Sequence, residues 1–146
     1  MVYHTFSEEE TRLMGEKFAN TLSPGTIIAL HGEIGAGKSV FARGIAKGLG
    51  ITGPIPSPTF TILQMYTQGR LPLYHFDWYR IEDEEELYAI GVQEYLFGQG
   101  ISLIEWPSQG KGILPEDHIS IEIIKQKEPL ERELVITYRE KEKNDR

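Results

Sequence analysis

The spacing of apolar residues changes along the chain, and those changes mark out helices and strands. Ser7 with Glu10 three positions later forms a capping box, and Leu13, Phe18, Ala19 and Leu22 fall on one side of the helix it opens. Pro24-Gly25 ends that helix. Thr26 to His31 is a β-branched, apolar run that reads as a buried strand. From Ser39 to Leu49 the spacing turns helical again, through Val40, Phe41, Ile45 and Leu49. Prolines and a glycine between Ile51 and Ser57 predict an exposed loop. Thr59 to Tyr66 and Leu71 to Tyr79 read as strands joined at Gln68-Gly69-Arg70, a hairpin. The acidic stretch Ile81 to Glu86 leads into a short helix ending near Gly91, and Ile101 to Glu105 is another buried strand. His118 to Ile124 and Glu133 to Tyr138 resemble a terminal antiparallel pair. Helices alternate with strands early and hairpins dominate late, which predicts an α/β fold whose mixed sheet has a parallel core and antiparallel hairpins.

Composition narrows the class. The 146 residues, 40% hydrophobic, fit a single domain over 1–146, with about 139–146 a flexible, solvated tail of mixed charge. No run approaches the roughly 18 apolar residues of a membrane span. The first residues lack the basic and apolar regions of a secretory signal, so the cytoplasm is the expected compartment. Without cysteine the chain has no disulfide, no thiolate nucleophile and no Cys-ligated zinc. A formal net charge of −7 repels phosphate backbones and argues against autonomous binding of nucleic acid.

The chemistry begins at the first strand–helix junction. Gly32-Glu-Ile-Gly-Ala-Gly-Lys-Ser39 satisfies the G-x-x-x-x-G-K-[ST] pattern of a phosphate-binding loop at every fixed position. Gly32, Gly35 and Gly37 let the backbone curl so that successive N–H groups point at phosphate oxygens. Lys38 reaches the β/γ-phosphates in such loops, the Ser39 hydroxyl coordinates Mg²⁺, and the helix N-terminus adds to the attraction. The nucleotide-contacting stretch is therefore expected to run through Gly32, Glu33, Ile34, Gly35, Ala36, Gly37, Lys38, Ser39 and Val40. No Asn-Lys-x-Asp guanine motif occurs, which favours ATP over GTP.

Phosphoryl chemistry on such a loop also needs a carboxylate near the metal. Asp77 and Glu105 compete for that place, each at the end of an apolar strand. Ser57-Pro58-Thr59-Phe60 stands where many NTPases keep a segment whose Thr hydroxyl senses the γ-phosphate. Arg80 follows Asp77-Trp78-Tyr79; read by itself it pairs with the acidic stretch Glu82 to Glu86. The four histidines lack metal spacing and read as core or surface residues. A small-molecule kinase would use the same loop, but it needs an arginine-rich lid that this chain lacks. A nucleotide-binding scaffold with slow turnover is the other alternative.

Four motifs in order, Gly32 to Ser39, Ser57 to Phe60, Tyr74-His-Phe-Asp-Trp-Tyr-Arg80 and Leu103-Ile-Glu-Trp106, resemble the TsaE (YjeE) family of small bacterial P-loop ATPases over roughly residues 7 to 138. That resemblance implies a P-loop NTPase-like three-layer sandwich. It implies an ATP- and Mg²⁺-dependent accessory role in forming N6-threonylcarbamoyladenosine on tRNA, exerted on a TsaD–TsaB pair, with tRNA contacted only indirectly. On the matching positions it makes Thr59 the switch threonine, Asp77 the Walker B aspartate, Glu105 a Mg²⁺-associated glutamate, and Arg80 a functional arginine. It also suggests Arg132 as a basic residue near the nucleotide. Ser39 stands for the more usual threonine, Glu33 for aspartate and Ser108 for glutamate, none of which removes a required chemical group.

Overall fold

The computed structural model describes residues 1–56 and 61–139. In chain order these form β1 (Val2–Thr5), α1 (Glu8–Ala19), β2 (Ile27–His31), α2 (Lys38–Gly48), β3 (Leu63–Tyr66), β4 (Leu73–Asp77), α3 (Glu85–Ala89), α4 (Val92–Leu96), β5 (Ile101–Glu105), a 3₁₀ turn (Pro107–Gly110), β6 (His118–Lys125) and β7 (Arg132–Arg139). The strands make one seven-stranded sheet in the order β1-β7-β6-β2-β5-β4-β3. β6, β2, β5 and β4 run parallel at its centre. β3 closes one edge antiparallel to β4, and β7 then β1 extend the other edge antiparallel. The mixed sheet expected from the sequence is present, with antiparallel pairs on both flanks of the parallel core.

Period-two alternation along the strands splits the core into two layers. Ile28 and Leu30 of β2, Leu103 of β5 and Leu73 of β4 pack with Phe41 and Ile45 under α1 and α2. Ile27, Phe76 and Ile104 point the other way, onto Trp78, Leu87, Val92 and Leu96. Each fully buried side chain of this size contributes about 2 kcal/mol. Helices thus cover both faces, giving three layers. The phosphate-loop strand β2 lies at the middle, and the chain passes from it first to β3, β4 and β5 on one side and then to β6 on the other. In an open α/β sheet such a reversal leaves a crevice at the carboxyl ends of the strands.

α1 and α2 touch through glycines. A Cβ at Gly15 would stand 2.6 Å from the Phe41 carbonyl, one at Gly48 would strike Glu16 and Ala19, and one at Gly44 would overlap the Arg12 carbonyl. Backbone therefore lies on backbone along this seam.

Several boundaries differ from the sequence reading, each for a local reason. α1 stops at Ala19, before Leu22, where the Thr21 hydroxyl donates to the Phe18 carbonyl at 2.7 Å. β3 begins at Leu63 because Ile62 adopts a left-handed φ of 69°. β4 covers only Leu73–Asp77, since the Asp77 carboxylate turns back to accept from the Tyr79 N–H at 2.8 Å. β1 and α4 were not anticipated: β1 is four largely exposed residues held by pairing with β7, and α4 restarts after Gly91, whose φ is 76°. Thr59, with the rest of Ser57 to Phe60, and the tail beyond Arg139 lie outside the described residues.

Gly44→Ala should lower stability by about 2 kcal/mol. The clash outweighs the roughly 1 kcal/mol that alanine gains over glycine inside a helix. Urea denaturation measures it, and a variant as stable as the parent would show that the seam relaxes freely.

Candidate functional site

β2 delivers the chain at His31 into the loop, and α2 takes it up at Lys38. Gly35 and Gly37 hold φ angles of 83° and 107°, a region that side chains resist, and Gly37 caps α2. A Cβ at Gly32 would press on the Ile123 carbonyl of β6 at 3.0 Å, so the loop's first glycine lets it lie against the sheet. The first turn of α2 carries no acidic residue, leaving its N-terminal partial charge unopposed. Ser39 is exposed there, and Ile34 and Glu33 stand out at the loop's tip. The Glu33–Lys125 pair, at 4.0 Å and well exposed, adds little.

Lys38 is 6% exposed, an unusual environment for an ammonium group. Its Nζ donates to the Gly32 carbonyl at 2.6 Å and sits 3.6 Å over the centre of the Trp106 ring. Burial pushes its pKa below the usual lysine value, while the carboxylates of Glu105 and Asp77 pull it back up. Trp106 itself takes a left-handed φ of 57° and is flanked by the Tyr79 ring at 4.9 Å. A bulky residue in that region is strained, and here the strain turns the indole toward the lysine.

The two carboxylates that competed in the sequence reading are brought together. β4 and β5 are in register with Asp77 beside Glu105, and β2 places Leu30 beside Glu105 on the other side. Counting by twos from Leu73 and Ile101 puts Asp77 and Glu105 on the α1–α2 face, beneath the loop. Both are 4% exposed. Asp77 receives the Tyr79 N–H and its own N–H donates to the Ile62 carbonyl at 2.8 Å. Glu105 Oε2 lies 2.7 Å from Nε2 of His75, which is buried as a core reading requires but also bonded to a site carboxylate. The sequence held a signal for this: a His two residues before Asp77 on a strand must share its face.

Arg132 opens β7 and reaches back across the sheet. Its Nε donates to the Ala36 carbonyl at 2.7 Å and its Nη2 to Gly35 at 3.3 Å, while Nη1 holds Pro129 and Glu131 at 2.9 Å. It thus ties the phosphate loop to the β6–β7 turn. Beside it opens a cavity of about 280 Å³ lined by Ser7, Thr11, Gly37, Ser39, Leu130 and Arg132. Arg80 stands exposed on the turn after β4, bracketed by Gln109, whose amide donates to the Tyr79 and Ile81 carbonyls. Of the acidic stretch, Glu84 and Glu86 accept backbone N–H groups from Gly112, Glu82 and Asp83.

The chain is similar to known proteins over most of its length. A family model described as "Threonylcarbamoyl adenosine biosynthesis protein TsaE" matches residues 5–134. The chain is 44% identical over 135 residues to the tRNA threonylcarbamoyladenosine biosynthesis protein TsaE of Bacillus subtilis, covering 92% of this chain and 84% of that one. It is 41% identical over 117 residues to the protein of the same description in Treponema pallidum, covering 80% and 86%. The crystal structure of Bacillus subtilis YdiB superposes with a TM-score of 0.84 at 36% identity, over 96% of this chain and 86% of that one.

Removing the Arg132 guanidinium should loosen the loop without unfolding the protein. In Arg132→Ala, amide exchange at Gly35 to Gly37 should quicken by about tenfold, the equivalent of about 1.4 kcal/mol, while exchange in β2 and β5 stays unchanged. Hydrogen-exchange mass spectrometry reads both, and unaltered loop protection would count against the tether.

Proposed function

The chain belongs to the TsaE family of threonylcarbamoyl adenosine biosynthesis proteins, and on that premise we propose that it is an ATP-binding and ATP-hydrolysing accessory subunit in forming N6-threonylcarbamoyladenosine on tRNA. The observation that carries this reading is the convergence of the loop, the buried Lys38 and the register-matched Asp77 and Glu105 at the carboxyl ends of β2, β4 and β5. The loop N–H groups and the Lys38 ammonium bind and orient the β- and γ-phosphates. Lys38 is largely buried, so its charge is screened less than in bulk water when a phosphate reaches it. Arg132 supports this by holding the Gly35 and Ala36 carbonyls, and the adjoining cavity takes the nucleoside.

Mg²⁺ fits the donor set. It takes one or two carboxylates and keeps waters and phosphate oxygens as its other ligands. Ser39, Asp77 and Glu105 would hold it, and among the described residues no cluster of three or more His, Asp or Glu competes for it. When bound, the ion neutralises charge building on the phosphates. Glu105 and Asp77 also orient the attacking water, with Thr59 and Arg80 as further contributors on the positions the family resemblance assigns.

Turnover by such a site is slow until a partner completes it. The partner proposed is a TsaD–TsaB pair, with tRNA held by those subunits. A net charge of −7 suits a chain that docks on proteins and leaves tRNA to them. No helix among the described residues is long and apolar enough to cross a membrane. A role in tRNA modification supports a cytoplasmic location.

ATP turnover with Mg²⁺, measured alone and with purified TsaD–TsaB, tests the proposal. The pair should stimulate it, and Lys38→Met and Glu105→Gln should each lower it by about a hundredfold or more while thermal melting stays near the parent's. Normal hydrolysis in either variant would remove that residue's role, and equal rates with and without the pair would remove the partner.

A further inference from the structure

Among the described residues, His75 is the one buried ionisable side chain beside the site to which the mechanism above gives no work, and its surroundings do not explain it as packing. It is 2% exposed on β4, two residues before Asp77, with Leu103 as its register neighbour on β5. Its Nε2 is 2.7 Å from Glu105 Oε2, and a carboxylate offers only acceptors, so the imidazole donates. Its other nitrogen, Nδ1, is buried and has no hydrogen-bond partner among the described residues. A buried polar atom left without a partner is costly, and a leucine would occupy similar space without one. Glu105, for its part, needs restraint. Its side chain has three rotatable bonds, and β5 fixes only the first atom of it.

We propose that His75 is a positioning residue for Glu105. Its Nε2–H fixes Oε2 and leaves the other carboxylate oxygen as the one presented to the metal and the attacking water. This rests on the ATPase reading above, and it predicts a split that mere space-filling would not give. Removing the donor at Nε2 should lower kcat with little change in nucleotide affinity, because Lys38 and the loop N–H groups are untouched. Restoring a donor at the same place should restore kcat.

Three substitutions separate these outcomes. His75→Leu keeps bulk and loses both nitrogens. His75→Asn places an amide near Nδ1, and His75→Gln places one near Nε2. Thermal melting first establishes that each variant is folded. With Mg·ATP and the stimulating TsaD–TsaB pair, His75→Leu and His75→Asn should lose about tenfold or more in kcat at KM within about twofold, the tenfold equal to about 1.4 kcal/mol in the barrier. His75→Gln should recover to within about threefold. In a Glu105→Gln background, His75→Leu should cost nothing further, since the group it positions is already altered. Full kcat in His75→Leu, or equal loss in the Asn and Gln variants, would overturn the proposal.

If the wild type hydrolyses no ATP under any condition, the ATPase reading fails, and the Mg²⁺ dependence of nucleotide affinity then judges the proposal. Wild type and His75→Gln should bind nucleotide more tightly with Mg²⁺ than without, and His75→Leu should keep only about half of that gain, in line with its small change in KM. An identical Mg²⁺ gain in all four proteins would overturn it, and absence of any nucleotide binding would overturn both.

Discussion

In a parallel sheet the face a side chain occupies is decided by whether its position is odd or even, and its neighbours are decided by register. Here that constraint aligns Leu30, Glu105 and Asp77 in one row across β2, β5 and β4. A slip of one residue in β5 would carry Glu105 to the face covered by α3 and α4, and would move Leu103 out of the layer it fills with Leu30 and Leu73. The apolar residues that secure the register are thus the same ones that aim the carboxylates. Stability and chemistry are inseparable along these strands, because both follow from one alternation.

The two acids of the row stand near one cation, Lys38 of α2, and all three are buried. Each would be expensive to bury by itself, since an unpaired buried charge costs several kcal/mol. Together they moderate one another: burial lowers the Lys38 pKa, and Glu105 and Asp77 oppose that lowering. The indole of Trp106 and the Gly32 carbonyl take up the rest of the ammonium's bonding. Asp77 is steadied by backbone N–H and Glu105 by His75. These partners are backbone groups and the rings of a buried histidine and a partly buried tryptophan, so the charges stay preorganised.

What the sequence disclosed, and what it withheld, divides along chain separation. The loop was legible because Gly32, Gly35, Gly37, Lys38 and Ser39 act within eight residues. Strands β2 and β5 were legible as apolar runs, and their ends drew attention to Glu105. Arg132 contributes through carbonyls 96 and 97 residues away, a contact that no local pattern encodes. Histidine 75 meets its partner 30 residues on, and only the pairing of β4 with β5 brings them together. α4 was missed because Gly91 interrupts the helical spacing, and β1 because four exposed residues bury too little to leave a pattern. The glycines of the α1–α2 seam read locally as helix weaknesses; their use appears only when the two backbones meet.

That seam has a mechanical consequence. Because Gly15, Gly44 and Gly48 leave no cushion of side chains between α1 and α2, the two helices are coupled as one stiff plate. Ser7 and Thr11 at the start of α1 and Lys38 and Ser39 at the start of α2 lie at the same end of the plate, so these walls of the cavity keep their spacing. The opposite wall, at Leu130 and Arg132, belongs to a hairpin turn joined to the plate by hydrogen bonds. Compliance is therefore concentrated on one side. Among the described walls, the turn is the one held to the plate by hydrogen bonds alone, and breathing that admits or releases a guest is concentrated there.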